Sequence, residues 1–148
     1  MDNLTEHFTY DELTRTSRSH LQAENREQGQ AHRAAMVLVC MELEKLRRFL
    51  FRPILISSGY RCTELNKDVG GSPHSQHQVG GAADFVVRDF EDYNALEFLF
   101  YWLHYHTNYG QLVLEHPPGR SPWIHYGISR PGRERTRYVY DGTAYRLV

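Results

Sequence analysis

Ser72-Pro73-His74-Ser75-Gln76-His77-Gln78-Val79-Gly80-Gly81-Ala82-Ala83-Asp84-Phe85 runs from a polar turn, through two glycines, into an apolar segment that continues to Val87. The segment Ala82 to Val87 is short, apolar and partly β-branched, as a strand entering a core would be. Its one charge, Asp84, stands at the head of that strand, and the glycines permit the positive φ that brings His77 back over it. A second short run, Trp123-Ile124-His125-Tyr126, supplies another imidazole on a later strand. His77, Asp84 and His125 together form a donor set of the kind zinc takes in catalytic sites, where three protein ligands leave a fourth position open. Any single histidine of the nine in the chain reads most simply as a surface or satisfied core residue, and only the joint pattern reverses that reading.

Side chains alternate across a strand, so Ile124, Tyr126 and Ile128 share one face while Trp123, His125 and Gly127 share the other. In Gln111 to Glu115, Leu112 and Leu114 take the apolar face and leave Gln111, Val113 and Glu115 opposite. A hairpin with both aliphatic sets inward places Glu115 near His125, and Asp84, between Ala83 and Phe85, joins the same surface. A carboxylate beside a metal ion is suited to act as general base, which makes Glu115 the candidate. Arg61, in Ser58-Gly59-Tyr60-Arg61, is the candidate to hold a substrate carboxylate or carbonyl oxygen with its guanidinium fork.

Outward from this centre the chain alternates helices and strands. Thr9 and Glu12 form a capping-box pattern that opens a short helix. Ser17 to Gln30 is polar and reads as a surface loop. Gln30 to Phe51 carries Ala35, Val39, Leu43, Leu46 and Leu50 at three- and four-residue steps, a long amphipathic helix closed by Pro53. Ile54-Leu55-Ile56 reads as a buried strand, and Glu64 to Val69 as a short helix ended by Gly70-Gly71. Asp89 is the expected cap of a deeply buried helix over Phe90 to Asn108, with its aromatic stripe Phe98 to Tyr105 in the core. Gln111 to Glu115 and Trp123 to Ser129 are strands joined by the turn His116 to Pro122. Arg137 to Tyr140 and Thr143 to Leu147 form a hairpin about Asp141-Gly142. The expected fold is α+β, a mainly antiparallel sheet packed with helices in one domain spanning 1–148.

The chain has 148 residues, enough for a self-sufficient core. Its formal charge of −1 offers no global field to gather nucleic acid or coat a membrane. No apolar run approaches the roughly 20 residues that span a bilayer, and no membrane insertion is expected. The N-terminus lacks a basic and then apolar leader, so synthesis in the cytoplasm without an export signal is expected. Cys40 reads as core and Cys62 as incidental, with a disulfide between them left open by their spacing.

At H-F-T-Y-D-E-L, I-S-S-G-Y-R-C-x-x-L-N-x-x-V-G-G, S-x-H-x3-G-x-A-x-D-F, Q-L-V-x-E and W-I-H-Y the chain resembles the M15 family of zinc peptidases. That group contains D-alanyl-D-alanine carboxypeptidases and L-alanyl-D-glutamate endopeptidases, phage endolysins among them, and its fold is related to the Hedgehog signalling domain. The resemblance implies a Zn2+ cofactor held by His77, Asp84 and His125, Arg61 as the substrate or transition-state arginine, and a glutamate as base. Ser75, Tyr60, His116 and Trp123 lie within or beside these motifs and are the expected substrate-facing residues. A loop hydrogen bond for Ser75 and a solvent-exposed turn for His116 stay open as alternatives. Many members place the catalytic acid three residues before the last histidine, where Pro122 stands here. A branch that this chain resembles places it at the end of the preceding strand, six residues before, and Glu115 stands ten before. A turn longer by four residues accounts for the difference.

The implied function is hydrolysis of an amide in the peptide stem of bacterial peptidoglycan, on the cell wall and after lysis-type release. A zinc-stabilised module that binds wall peptide or a protein partner without cleaving it is the alternative. The sequence specifies neither the bond cleaved nor the oligomeric state.

Overall fold

The computed structural model describes residues 1–140 and 142–148. It is an α+β structure in which helices cover one face of a six-stranded sheet. The strands are β1 (Ile54–Ser58), β2 (Ala82–Val87), β3 (Tyr109–Glu115), β4 (Trp123–Ile128), β5 (Thr136–Tyr140) and β6 (Tyr145–Leu147), in spatial order β1-β2-β4-β3-β5-β6. Only the β3–β5 pair is parallel among the described residues; the other pairings are antiparallel. The long helix is α3 (Arg33–Leu50), preceded by α1 (Tyr10–Thr14) and α2 (Gln22–Gly29) and followed by α4 (Thr63–Asp68) and α5 (Tyr93–His106). No helix among the described residues is long and apolar enough to cross a membrane.

Alternation along the strands separates core from site. Ala83, Phe85 and Val87 of β2, Leu112 and Leu114 of β3, and Ile124 and Tyr126 of β4 are all buried on the helix side. There they meet Met36, Val39, Cys40, Leu43 and Leu46 of α3 and Leu96, Leu99, Phe100 and Leu103 of α5. Complete burial of one such leucine or phenylalanine contributes about 1.5–3 kcal/mol relative to leaving it exposed. The opposite side chains of the same strands make the functional face. Register aligns Ser58, Asp84, His125, Val113 and Tyr138 in one row across five strands. A shift of one residue in any strand would turn its member of the row into the core.

The capping box is present: Thr9 Oγ1 accepts from the Glu12 N–H, and the Glu12 carboxylate accepts from the Thr9 N–H. The segment 17–30 departs from the expected loop, since it forms a 3₁₀ turn (Ser19–Leu21) and α2. This helix has no apolar stripe to betray it. It is held by polar anchors, for the buried Asn25 donates to the Thr14 and Tyr60 carbonyls and accepts from the Cys62 N–H.

The helix after β2 also differs from expectation. Asp92, not Asp89, is the cap, accepting from the Ala95 N–H, while Asp89 occupies a positive-φ turn. Only one side of α5 is buried, and Phe98, Tyr101 and Tyr105 are exposed because its other side has no layer to pack on. Cys40 and Cys62 are both buried free thiols, so Cys62 belongs to the core and the pair forms no disulfide. The final hairpin pairs Tyr140 with Tyr145, which starts β6 two residues later than expected; its anticipated turn residue Asp141 lies outside the described residues.

Candidate metal centre

His77 lies in a short 3₁₀ turn (Gln76–Val79) whose cap is Ser75, with Ser75 Oγ accepting from the His77 N–H. Gly80 ends the turn at φ +75°, the left-handed conformation that lets the chain reverse into β2. The imidazole Nδ1–H donates to the Gly59 carbonyl at 2.7 Å. Because a carbonyl can only accept, this bond fixes the proton on Nδ1 and leaves the Nε2 lone pair directed at Asp84 Oδ1, 3.3 Å away. Burial pushes the His77 imidazole below its ordinary value and favours this neutral form.

Asp84 and His125 face each other directly across β2 and β4, with His125 Nδ1 2.9 Å from Asp84 Oδ1. Burial opposes ionisation of Asp84, but the positive charge that the neighbouring imidazoles carry when protonated, together with the hydrogen bond to His125, holds its carboxyl far below the usual carboxylate range. The three side chains each offer one ligand atom within 4.8 Å of the others. An Nε2 lone pair facing a carboxylate oxygen is an arrangement of two acceptors that a cation between them reconciles. Two ligands each about 2.0–2.1 Å from a shared tetrahedral ion stand roughly 3.3 Å apart, close to the His77–Asp84 separation. The residues therefore fit a metal ion.

Arg61 is mostly buried beside this cluster. Its Nη2 lies 3.3 Å from Asp84 Oδ2, its Nε donates to Ser58 Oγ at 2.9 Å and its Nη1 to Asn66 Oδ1 at 3.4 Å. Burial lowers its pKa from the ordinary value, against the attraction of Asp84. The backbone around it is clamped as well. The Arg61 N–H donates to the His77 carbonyl, and Asn25 holds the residues on both sides.

Glu115 ends β3 opposite Trp123 and lines a hollow with His125, Val113, Gln111, Tyr138 and Tyr145. Burial raises its carboxyl above the ordinary glutamate value, and Asp84 adds to that rise. A 2.6 Å hydrogen bond donated by the Tyr145 hydroxyl works the other way. The turn 116–122 connects Glu115 to β4, so its length does not disturb the pairing that puts the glutamate near the cluster.

The remaining candidates divide. Trp123 lines a cleft that also contains Arg61 and Asp84. His116 packs against Tyr93 with the rings tilted at 32° and their centroids 5.2 Å apart, and Ser75 serves its own turn. Tyr60 is not brought to the cluster. It is buried and stacked on His32, bordering a separate hollow with Glu27 and Gln28, because the strand exit that points Arg61 toward Asp84 sends its neighbour the opposite way. The reading of the sequence missed Asn25, Asn66 and Tyr145. The first two act through polar contacts that reach across as many as 37 residues, and the last depends on β5 and β6 joining the far side of β3.

A protein-family model described as peptidase M15 matches residues 6–116. The chain belongs to the peptidase M15 family. No curated protein matches it. Membership makes the chain a hydrolase by family, and the matched span contains Arg61, His77, Asp84 and Glu115. His125 lies beyond that span, and it is the β2–β4 register that brings it to Asp84 in this M15 family member.

The position of Gly59 yields a direct test of the scaffold. A Cβ there would lie 2.3 Å from the Leu13 carbonyl oxygen, which already accepts from the Tyr60 N–H. Gly59→Ala is expected to cost about 1–3 kcal/mol of stability as an overpacking substitution, measured as a lower denaturant midpoint. Since the same glycine's carbonyl holds His77, an unchanged midpoint would show that this junction is looser than its geometry.

Proposed function

We propose that the protein is a zinc peptidase that hydrolyses an amide in the peptide stem of bacterial peptidoglycan. The observation that carries this reading is the convergence of His77, Asp84 and His125 in an M15 family chain, with Glu115 and Arg61 on the same face of the sheet. His77, Asp84 and His125 would hold the ion. When bound, zinc supplies a Lewis acid that polarises a carbonyl and acidifies water.

The protein's own groups supply the rest of the chemistry. Glu115 takes a proton from the attacking water at its carboxylate and returns one to the leaving amine. Burial raises its carboxyl above the ordinary glutamate value, which makes it a stronger base toward that proton than an exposed glutamate. Tyr145 holds the carboxylate in place through Oε2. Arg61, fixed by Ser58, Asn66 and Asp84, presents positive charge to the substrate's carbonyl or carboxylate oxygen without having to reorganise. The related Hedgehog-type fold and the action on cell wall after release from the cytoplasm belong to the same reading.

Removal and return of metal tests it. Protein stripped with a chelator is expected to lose hydrolysis of a soluble stem peptide and to regain it on addition of zinc at one ion per chain. Hydrolysis that continues undiminished in metal-free protein would contradict the proposal.

A further inference from the structure

Two hollows meet at the metal-ligand cluster, one through Asp84 and the other through His125. They differ sharply in charge. The hollow that contains Glu115, Tyr138 and Tyr145 has no arginine or lysine in its described lining. The other, about 570 Å3 in volume, is lined by Arg15, Arg18, Arg61 and Arg120, and Asp84 is its only carboxylate among the described residues.

These arginines come from separate parts of the chain. Arg15 and Arg18 follow α1, Arg61 follows β1, and Arg120 sits in the turn between β3 and β4. Fifteen of the 17 basic residues are arginines, balanced overall to a net charge of −1, and the convergence of four of them at one cleft with a single carboxylate concentrates positive potential there. Two of them are already engaged. Arg61 contacts Ser58, Asn66 and Asp84, and Arg18 pairs with Asp68 at 3.2 Å. Arg15 and Arg120 form no ion pair with a carboxylate among the described residues, although the Arg120 charge acts on Glu115 from a distance. The Arg120 guanidinium lies over the Trp123 ring, 4.6 Å from its centroid, which holds the fork against the cleft wall.

We propose that this cleft is a carboxylate-binding subsite in which Arg15 and Arg120 each receive one carboxylate. The substrate is then a peptide with at least two carboxylates on the side of its scissile amide that lies toward Asp84. This inference rests on the peptidase reading above. A guanidinium fork accepts phosphate as readily as carboxylate. The cleft, however, opens onto the cluster through Asp84, so its occupant is continuous with the molecule whose amide is presented there. The opposite hollow, with Glu115 and no arginine or lysine in its described lining, offers the same groups no such partner.

Binding separates this inference from catalysis. The probes are an N-acetylated, C-amidated tetrapeptide with two glutamates, its equally blocked counterpart with two glutamines and a glycerol phosphate trimer, each titrated calorimetrically into zinc-loaded Glu115→Gln protein. The diacidic peptide is expected to bind about tenfold tighter than the neutral one, a modest factor because exposed ion pairs are individually weak, and the margin shrinks as salt is raised. Arg15→Gln/Arg120→Gln is expected to abolish the margin while leaving affinity for the neutral peptide unchanged; both side chains are exposed, so the fold is not at risk. Equal binding of the two peptides, or a margin that survives the double substitution, would overturn the subsite. Tighter binding of the phosphate trimer than of the diacidic peptide would overturn it in favour of a phosphodiester ligand. Cleavage by the unsubstituted protein, followed in parallel, reports on the peptidase reading separately.

Discussion

Asp84→Asn is expected to abolish both metal retention and hydrolysis. The substitution keeps the shape of the side chain and removes the negative charge that three neighbours use at once: His77 at 3.3 Å, His125 at 2.9 Å and Arg61 at 3.3 Å. An amide is a poor ligand beside two neutral imidazoles. The rate therefore falls to background, a loss of about 10⁶-fold or more if the whole enzymatic acceleration depends on the centre. A second effect follows from Arg61, whose side chain is 16% exposed and keeps its charge after Asp84 loses its own. Breaking one partner out of a buried pair costs about 3–5 kcal/mol, and the bonds to Ser58 and Asn66 place Arg61 at the lower end. Metal analysis, initial rates and denaturant unfolding on one preparation check all three outcomes. Retention of one ion per chain by Asp84→Asn protein would remove Asp84 from the ligand set.

Glu115→Gln is expected to leave the metal in place and to slow hydrolysis by about 10²–10⁴-fold, the range for loss of a general acid–base group. The pH dependence carries the sharper signature. Burial raises the Glu115 carboxyl above the ordinary glutamate value. A base must be ionised to accept a proton, so activity is complete above that raised pKa and is lost as pH falls through it. The acid limb of kcat/KM accordingly lies at higher pH than an unperturbed glutamate would give, and it disappears in the Glu115→Gln protein. A limb that persists unchanged in the variant would assign the titration to another group.

The parts of the site that were legible in the sequence are those written in local pattern. Ala82 to Val87 is a strand with the expected bounds, since an apolar run set off by Gly80-Gly81 leaves little alternative. Two-residue alternation correctly sent Ile124 and Tyr126 inward and His125 to the other face. It also put Glu115 on the His125 side of β3. What remained hidden depends on distant pairing. Insertion of β4 between β2 and β3 sets Asp84 opposite His125, and no local spacing encodes that order. The helix α2 has a polar anchor, Asn25, where an apolar stripe would have announced it. The exposure of Phe98, Tyr101 and Tyr105 follows from the absence of a second layer over α5, whereas composition alone suggested burial. Tyr60 was misplaced because motif membership does not distinguish the residue that points at the site from its neighbour that supports it.

The most direct measurement is mass spectrometry of fragments released from purified peptidoglycan by the zinc-loaded protein, with and without a chelator. The account predicts new amine termini within the peptide stem that appear only when metal is present, and their positions name the bond. Intact stems after incubation of demonstrably zinc-loaded protein with several wall types would contradict it, and would leave a metal-stabilised module that binds the wall without cutting it.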